Sequence, residues 1–126
     1  MKYLCLFVLM ILSTTLNAHQ FTPTYPVLQP SHVDGVMVAR MTLFNRREDV
    51  QFYDVGVFDS EWNSLPFATE NQPVKINYLE TKPINVYIRE SDVKRVTYIC
   101  TQSKLVKQST TGSLVSSKIC SKVKKR

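Results

Sequence analysis

The sequence is poor in the residue types that many catalytic sites require. Of its 126 residues, three are glycine and two are histidine. Phosphate-binding loops need clustered glycines, and histidine is the commonest general acid or base, but no motif of either kind is visible. A serine nucleophile motif and a paired arrangement of carboxylates are also missing. The composition therefore predicts a protein that is not an enzyme and that uses no cofactor.

Long hydrophobic runs are missing as well, except at the N-terminus. Residues 1–18, MKYLCLFVLMILSTTLNA, contain Lys2, then an apolar run, then small polar residues that end at Ala18. This layout is typical of a secretory signal peptide, and no later run approaches the roughly 20 apolar residues of a membrane helix. We therefore expect a signal peptide over residues 1–18 and a single domain over residues 19–126 that is periplasmic or secreted.

Cysteine is also scarce. Cys5 lies within the predicted signal peptide, so Cys100 and Cys120 are the only cysteines of the mature chain, and neither a Cys-x-x-Cys motif nor a pair of zinc ligands is present. If two strands meet around Ser109 to Gly112, residues whose numbers sum to about 221 face each other, and the two cysteines sum to 220. In an oxidising compartment we expect a disulfide that staples this last hairpin and stabilises the fold by roughly 3 kcal/mol.

The chain is rich in short runs in which apolar and polar residues alternate. In the clearest run, Ile84–Glu90, the apolar residues Ile84, Val86 and Ile88 occupy every second position. Further strand-like runs lie at Phe21–Leu28, Val36–Asn45, Val50–Asp59, Arg95–Lys104 and Gly112–Lys122. This spacing predicts a single immunoglobulin-like antiparallel β-sandwich of about seven strands. The predicted core consists of Met41, Leu43, Val55, Val57, Ile84, Val86, Ile88 and Tyr98.

Tyr98 stands two residues before Cys100, where immunoglobulin-like sandwiches have a tyrosine corner. An ordinary half-buried strand tyrosine is the alternative, because tyrosine is common in strands. The usual partner cysteine on the second strand is missing, and Trp62 follows the third predicted strand instead of lying within it. These departures argue against an antibody-type domain.

Four features of the middle of the chain form a series. A strand ends in Leu-x-Asn at Leu43 and Asn45, an aromatic-rich segment follows at residues 52–62, an alternating strand spans residues 78–89, and an aromatic strand spans residues 96–100. This series, within RMTLFNRREDVQFYDVGVFDSEWNSLPFA and VKINYLETKPINVYIRESDVKRVTYIC, resembles the N-terminal domain of the periplasmic pilus-assembly chaperones of bacteria. The resemblance implies an immunoglobulin-like fold, an envelope location and a partner bound by strand pairing.

The chain also departs from that family. The chaperones have two immunoglobulin-like domains, whereas residues 19–126 have room for one. They hold the C-terminal carboxylate of a subunit with an arginine and a lysine in the cleft between the domains. Arg40 lies on the second predicted strand and does not map onto that arginine, while Lys118 or Lys122 could take the role of the lysine.

The last predicted strand offers an edge to which a partner strand could add. The apolar residues Val115, Ile119 and Val123 alternate there with Lys118 and Lys122. We predict that these five residues contact a partner, the apolar row by packing and the lysines by charge. The alternative is that the apolar row faces the protein's own core.

Positive charge is concentrated near the C-terminus. The formal charge is +6, and all seven charged residues after Cys100 are basic. Such a run attracts acidic protein faces and, weakly, an anionic membrane surface, or it is simply a solvated tail. No aromatic stacking platform interleaves with these lysines, so we expect no nucleic-acid partner.

The longest irregular stretch, Asp59–Pro73, carries Trp62 and Phe67 among polar residues. Trp62 is predicted to contact a partner as part of an exposed aromatic patch. The alternative is that Trp62 and Phe67 together cap one end of the sandwich.

Three functions are compatible with these observations. The first is a secreted assembly or interaction protein, chaperone-like in fold, that binds a protein partner of the envelope or of a fibre. The second is a structural component of a surface appendage or particle, held permanently by the same edge. The third is a small copper protein, because cleavage after Ala18 would give His19 an α-amino group beside its imidazole, and His32 could be a further ligand.

Overall fold

The computed structural model describes residues 18–104 and 116–125. In this part of the chain the elements are β1 (Gln20–Thr22), β2 (Gln29–Pro30), β3 (Val36–Phe44), β4 (Phe52–Phe58), β5 (Val74–Lys75), β6 (Thr81–Arg89), a 3-10 turn (Glu90–Asp92), β7 (Tyr98–Ser103) and β8 (Lys118–Lys122). The strands form two antiparallel sheets. In the first sheet β3 lies between β6 and the two short strands β1 and β2, and the order in the second sheet is β5-β4-β7-β8. The predicted all-β antiparallel sandwich is confirmed.

The core lies between the sheets because the long strands present apolar side chains at every second position. Seven of the eight predicted core residues are at most 5% exposed: Met41, Leu43, Val55, Val57, Ile84, Val86 and Ile88. The prediction is wrong for Tyr98, which is half-buried. Tyr98 points to the outer face of β7, whose buried inner residues are Ile99, Thr101 and Ser103.

The C-terminal hairpin has the predicted register. Cys100 of β7 lies opposite Cys120 of β8, with 4.0 Å between the Cα atoms, and the two sulfur atoms are bonded. The predicted disulfide is therefore confirmed. The turn expected at residues 109–112 lies outside the described residues, as does the predicted signal peptide up to residue 17. Within the described residues, no helix is long and apolar enough to cross a membrane.

The N-terminal segment contacts both sheets. β1 pairs with β3 in the first sheet, and the chain then crosses to the outer edge of β8. There the backbone N–H groups of Lys122 and Lys124 donate to the carbonyl oxygens of Thr24 and Pro26, at 3.0 and 2.8 Å. Because both numbers increase together, this pairing is parallel. The chain's own N-terminal segment thus lies along the edge where the sequence predicted a partner strand.

The outer edge of β4 is closed by a side chain. The amide group of Gln72 accepts a hydrogen bond from the Val55 N–H and donates one to the Val55 carbonyl, at 3.0 and 2.7 Å. Further along β4, the Leu65 N–H donates to the Val57 carbonyl at 2.9 Å. Gln72 therefore replaces one residue of a neighbouring strand and leaves less of this edge open to another chain.

Candidate functional site

An aromatic cluster lies on the outer face of the second sheet. Trp62 follows β4, and its ring stacks on Tyr98 of β7 with 4.2 Å between the ring centroids and 1° between the planes. Phe58, at the end of β4, lies opposite Tyr98 in the strand register, and its ring is 5.9 Å from that of Trp62. Trp62 nevertheless remains 50% exposed. The cluster thus holds a large aromatic ring in place while leaving half of it open to solvent.

The loop from Asp59 to Asn63 presents Trp62. The Asp59 carboxylate accepts hydrogen bonds from the N–H groups of Glu61 and Asn63, both at 2.9 Å, and these bonds, that from Asn63 first, lower the pKa of the Asp59 carboxyl. The Trp62 N–H donates to the Asp59 carbonyl at 3.1 Å. Trp62 itself has a φ of 65°, which costs free energy in a non-glycine residue and persists only where the surroundings hold it. The hydrogen bonds of the loop therefore hold Trp62 in an unfavourable backbone conformation, and in this conformation its side chain lies on the surface.

A lysine completes the cluster. The Nζ atom of Lys118, on β8, lies 4.8 Å from the centroid of the Phe58 ring and 5.3 Å from that of Trp62. These distances are in the range of cation–π contacts. Gly56 makes the packing possible, because a Cβ atom there would come within 2.8 Å of the Phe58 ring. We call Phe58, Trp62, Tyr98 and Lys118 the Trp62 face.

A shallow groove borders the Trp62 face. It has a volume of about 170 Å³, and its lining includes the disulfide cysteine Cys100 together with Asp54, Gln102 and Lys118. Asp54 supplies a carboxylate, Gln102 an amide and Lys118 an ammonium, all on the outer face of the sheet. The Trp62 face and the groove together combine an apolar aromatic surface with a positive, a negative and a neutral hydrogen-bonding group. Many binding surfaces have this composition.

The structure separates the predicted partner-binding residues into groups. Trp62 and Lys118 meet in the Trp62 face, and Lys122 is exposed and lies opposite Tyr98 in the register. Val115 lies outside the described residues.

The structure buries the apolar residues of the last strand that it describes, whereas we predicted that they lie on the surface. Val123 is 5% exposed in the core, and Ile119 is partly buried against it. Both side chains face the protein's own core, which is the alternative that the alternation left open. The prediction that Ile119 and Val123 contact a partner on the surface is therefore wrong, because β8 turns its apolar side towards the other sheet.

Two members of the site were missed as site residues. The sequence pattern places Phe58 in an aromatic segment and predicts Tyr98 in the core. The alternation held a signal, since Phe58 is out of phase with the buried Val55 and Val57, and Tyr98 is in phase with Cys100. What the alternation does not contain is the pairing of β4 with β7, which places Phe58 beside Tyr98.

His19 lies on the opposite side of the second sheet, in a polar cluster. Its side chain is buried, with Nε2 2.8 Å from the Thr101 hydroxyl and Nδ1 3.0 Å from the Ser117 hydroxyl. Its ring centroid is 4.6 Å from that of Tyr53. Burial lowers the pKa of His19 from 6.5 to about 4, so the imidazole is neutral at pH 7.

This placement bears on the copper hypothesis. Both ring nitrogens of His19 already have hydroxyl partners, and a copper ion would have to displace one of them. His32 is exposed, and its ring lies beside Tyr87 of the first sheet. Among the described residues, no three histidine, cysteine or acidic side chains are grouped as they would be around a metal ion.

The polar cluster continues to the end of β3. The Tyr53 hydroxyl donates to the Asn45 side-chain oxygen at 2.6 Å, and the Asn45 amide donates to the carbonyls of Val50 and Ile76 at 2.7 and 2.9 Å. Burial raises the pKa of Tyr53 to about 12. Because each polar group has an internal partner, we interpret this cluster as structural.

No family model, no curated protein and no solved structure matches the chain. The resemblance to pilus-assembly chaperones therefore stays a prediction.

Proposed function

We propose that this chain is a secreted, non-enzymatic interaction protein that binds a protein partner of the cell envelope or of a fibre through the Trp62 face. Tryptophan and tyrosine are the residues that most often carry the energy of protein–protein binding. The observation that best supports this proposal is that Trp62 is half exposed and yet fixed in place. The stack on Tyr98 and the hydrogen bonds of its loop hold it there. A fixed side chain loses little conformational entropy when a partner binds.

The position of the proposed contact follows from the edges of the sheets. The N-terminal segment already pairs with the outer edge of β8, and Gln72 closes part of the edge of β4. A strand added at either of these two edges would have to displace these segments, whereas the Trp62 face can be covered without displacing them. Lys118 and Lys122 lie on the same side of β8 and would favour a partner with acidic groups around its contact.

A crosslinking experiment tests this proposal. A photoreactive amino acid replaces Glu61, the exposed neighbour of Trp62, in one variant and Tyr78, which is 47% exposed in a different loop, in a control variant, so that both variants keep the Trp62 ring. In cells that produce the protein, we expect one dominant crosslinked protein with the first variant and not with the second. With that partner purified, Trp62→Ala is expected to weaken binding by about tenfold or more, and Tyr78→Ala to leave it unchanged.

The outcome also distinguishes two kinds of interaction protein. Crosslinks that fractionate with soluble complexes indicate a transient assembly factor, whereas co-purification with a surface appendage indicates a permanent component. Equal crosslinking at both positions, or unchanged affinity of Trp62→Ala, would contradict the proposed role of the Trp62 face.

A further inference from the structure

A second surface lies at one end of the sandwich, where the core is open between the two sheets. A groove of about 220 Å³ is found there, and we call it the end groove. Its apolar lining consists of Val27, Leu28, Met37, Val93 and Val123, and its rim consists of Lys94, Lys124 and Lys125. It shares no residue with the Trp62 face.

The floor of the end groove is part of the protein's core. Leu28 and Val123 are buried, while Val27, Met37 and Val93 are each partly exposed. Met37 and Val93 pack against the buried core residues from its margin. The groove therefore brings apolar side chains of both sheets to the surface, where covering them would be favourable.

The rim is positively charged, and the described part of the chain supplies no counter-charge to it. Within the described residues, none of the three lysines lies within 4.0 Å of a carboxylate, and the nearby Asp92 is paired with Arg89 and Arg95. The Lys125 ammonium donates to the carbonyl oxygens of Val93, Lys94 and Val96, and burial lowers its pKa.

We infer that the end groove binds a single-chain anionic amphiphile, a fatty carboxylate, with its hydrocarbon chain on the apolar floor and its carboxylate between Lys94 and Lys124, because the three N–H groups of Lys125 already donate to backbone carbonyls. A small hydrophilic anion would gain nothing from the apolar floor, and a neutral hydrocarbon nothing from the lysines. The volume is below the roughly 300 Å³ of ordinary ligand pockets, so the groove fits part of one chain and not a bulky ligand. This site is independent of the proposed protein-binding face.

Three small probes separate the contributions of chain and head group. Octanoate has both, 1-octanol has the same chain with a neutral head, and acetate has the carboxylate alone. In the ¹⁵N-labelled protein, octanoate is expected to shift the backbone amide signals of Val27, Val93 and Val123 in a saturable way. Acetate should leave these signals in place, and 1-octanol should bind several-fold more weakly than octanoate.

Charge variants complete the test. Lys94→Gln together with Lys124→Gln is expected to weaken octanoate binding by about fivefold or more. The matched control, Lys75→Gln with Lys104→Gln, removes the same charge from exposed positions elsewhere and should bind as the wild type does.

Three results of the probe and variant experiments would overturn the inference. These are octanoate shifts that do not localise to the end groove, 1-octanol binding as tightly as octanoate, and equal affinity of the two double variants. Sedimentation of the protein with phosphatidylglycerol vesicles, without octanoate shifts at the groove, would also overturn it and would assign the lysines to a membrane surface instead.

Discussion

The two sides of β7 and β8 carry clusters of similar composition and opposite character. On the inner side, the His19 ring packs on Tyr53 and is 1% exposed, with both nitrogens bonded to hydroxyl groups. On the outer side, the Trp62 ring stacks on Tyr98 and is 50% exposed. The comparison teaches that an aromatic pair by itself does not mark a site. What distinguishes the outer pair is that half of the Trp62 surface stays exposed to solvent.

The disulfide lies on the outer face and joins β7 to β8, the two strands between the clusters, and removing it should have the largest effect. Replacing Cys100 and Cys120 by Ser is expected to lower the free energy of unfolding by about 3 kcal/mol, because the unfolded chain regains the freedom of a loop with a separation of 20 residues. Chemical denaturation measures the change. Reducing the wild-type protein should reproduce it, and two reactive thiols in the unreduced protein would contradict the bond.

The inner cluster should respond to pH. The pKa of His19 is about 4 in the folded protein and 6.5 without burial. Between these two pH values the imidazole is protonated in the unfolded chain and neutral in the folded chain. Stability is therefore complete above about pH 6.5 and is lost as the pH falls towards 4. Between pH 7 and pH 5 the free energy of unfolding should fall by about 2 kcal/mol.

Two histidine variants check the assignment of this pH dependence. His19→Ala should remove it, while His32→Ala, which changes an exposed ring, should retain it. Equal slopes in both variants would show that other groups cause the loss of stability.

A pair of matched hydroxyl deletions sharpens the contrast between the two sides. Tyr53→Phe removes the hydrogen bond to Asn45 in the core and should cost about 1.5 kcal/mol. Tyr98→Phe keeps the ring that stacks on Trp62 and changes only a half-buried outer residue, so its effect should stay within about 0.5 kcal/mol. Thermal unfolding of both variants measures the difference. Equal losses of stability would mean that the hydroxyl group of the inner cluster contributes no more than that of the outer one.

The smallest expected effect concerns the backbone of Trp62. Because its φ is 65°, Trp62→Gly should be more stable than Trp62→Ala by about 1 kcal/mol or less. Both variants lack the ring, so both should lose partner binding to the same extent. A difference in binding between them would point to the loop conformation, and not to the tryptophan ring, as the feature that the partner recognises.

The candidate site was predictable only in pieces. Trp62 and Lys118 could be named from an irregular aromatic stretch and from a basic strand, but they are 56 positions apart in the sequence. Their contact requires β8 to pair with β7 and β7 with β4. No local pattern encodes the neighbour of a strand. The wrong placement of Tyr98 has another reason, because its alternation with Ile99 and Thr101 already puts it on the outer face.

The sequence by itself determined the five longer strands β3, β4, β6, β7 and β8, most of the core and the register of the last hairpin, but not the short strands β2 and β5, and the edge strand expected over Phe21–Leu28 ends at Thr22. Alternation with a period of two is a local property of a strand. Two cysteines that form a disulfide across a hairpin specify which residues of its two strands lie opposite each other. Only the tertiary structure decided that the N-terminal segment lies along β8, that Gln72 closes the edge of β4, and that Trp62 lies over Tyr98. Each of these contacts joins segments distant in the chain, and their geometry depends on how the two sheets pack and twist together.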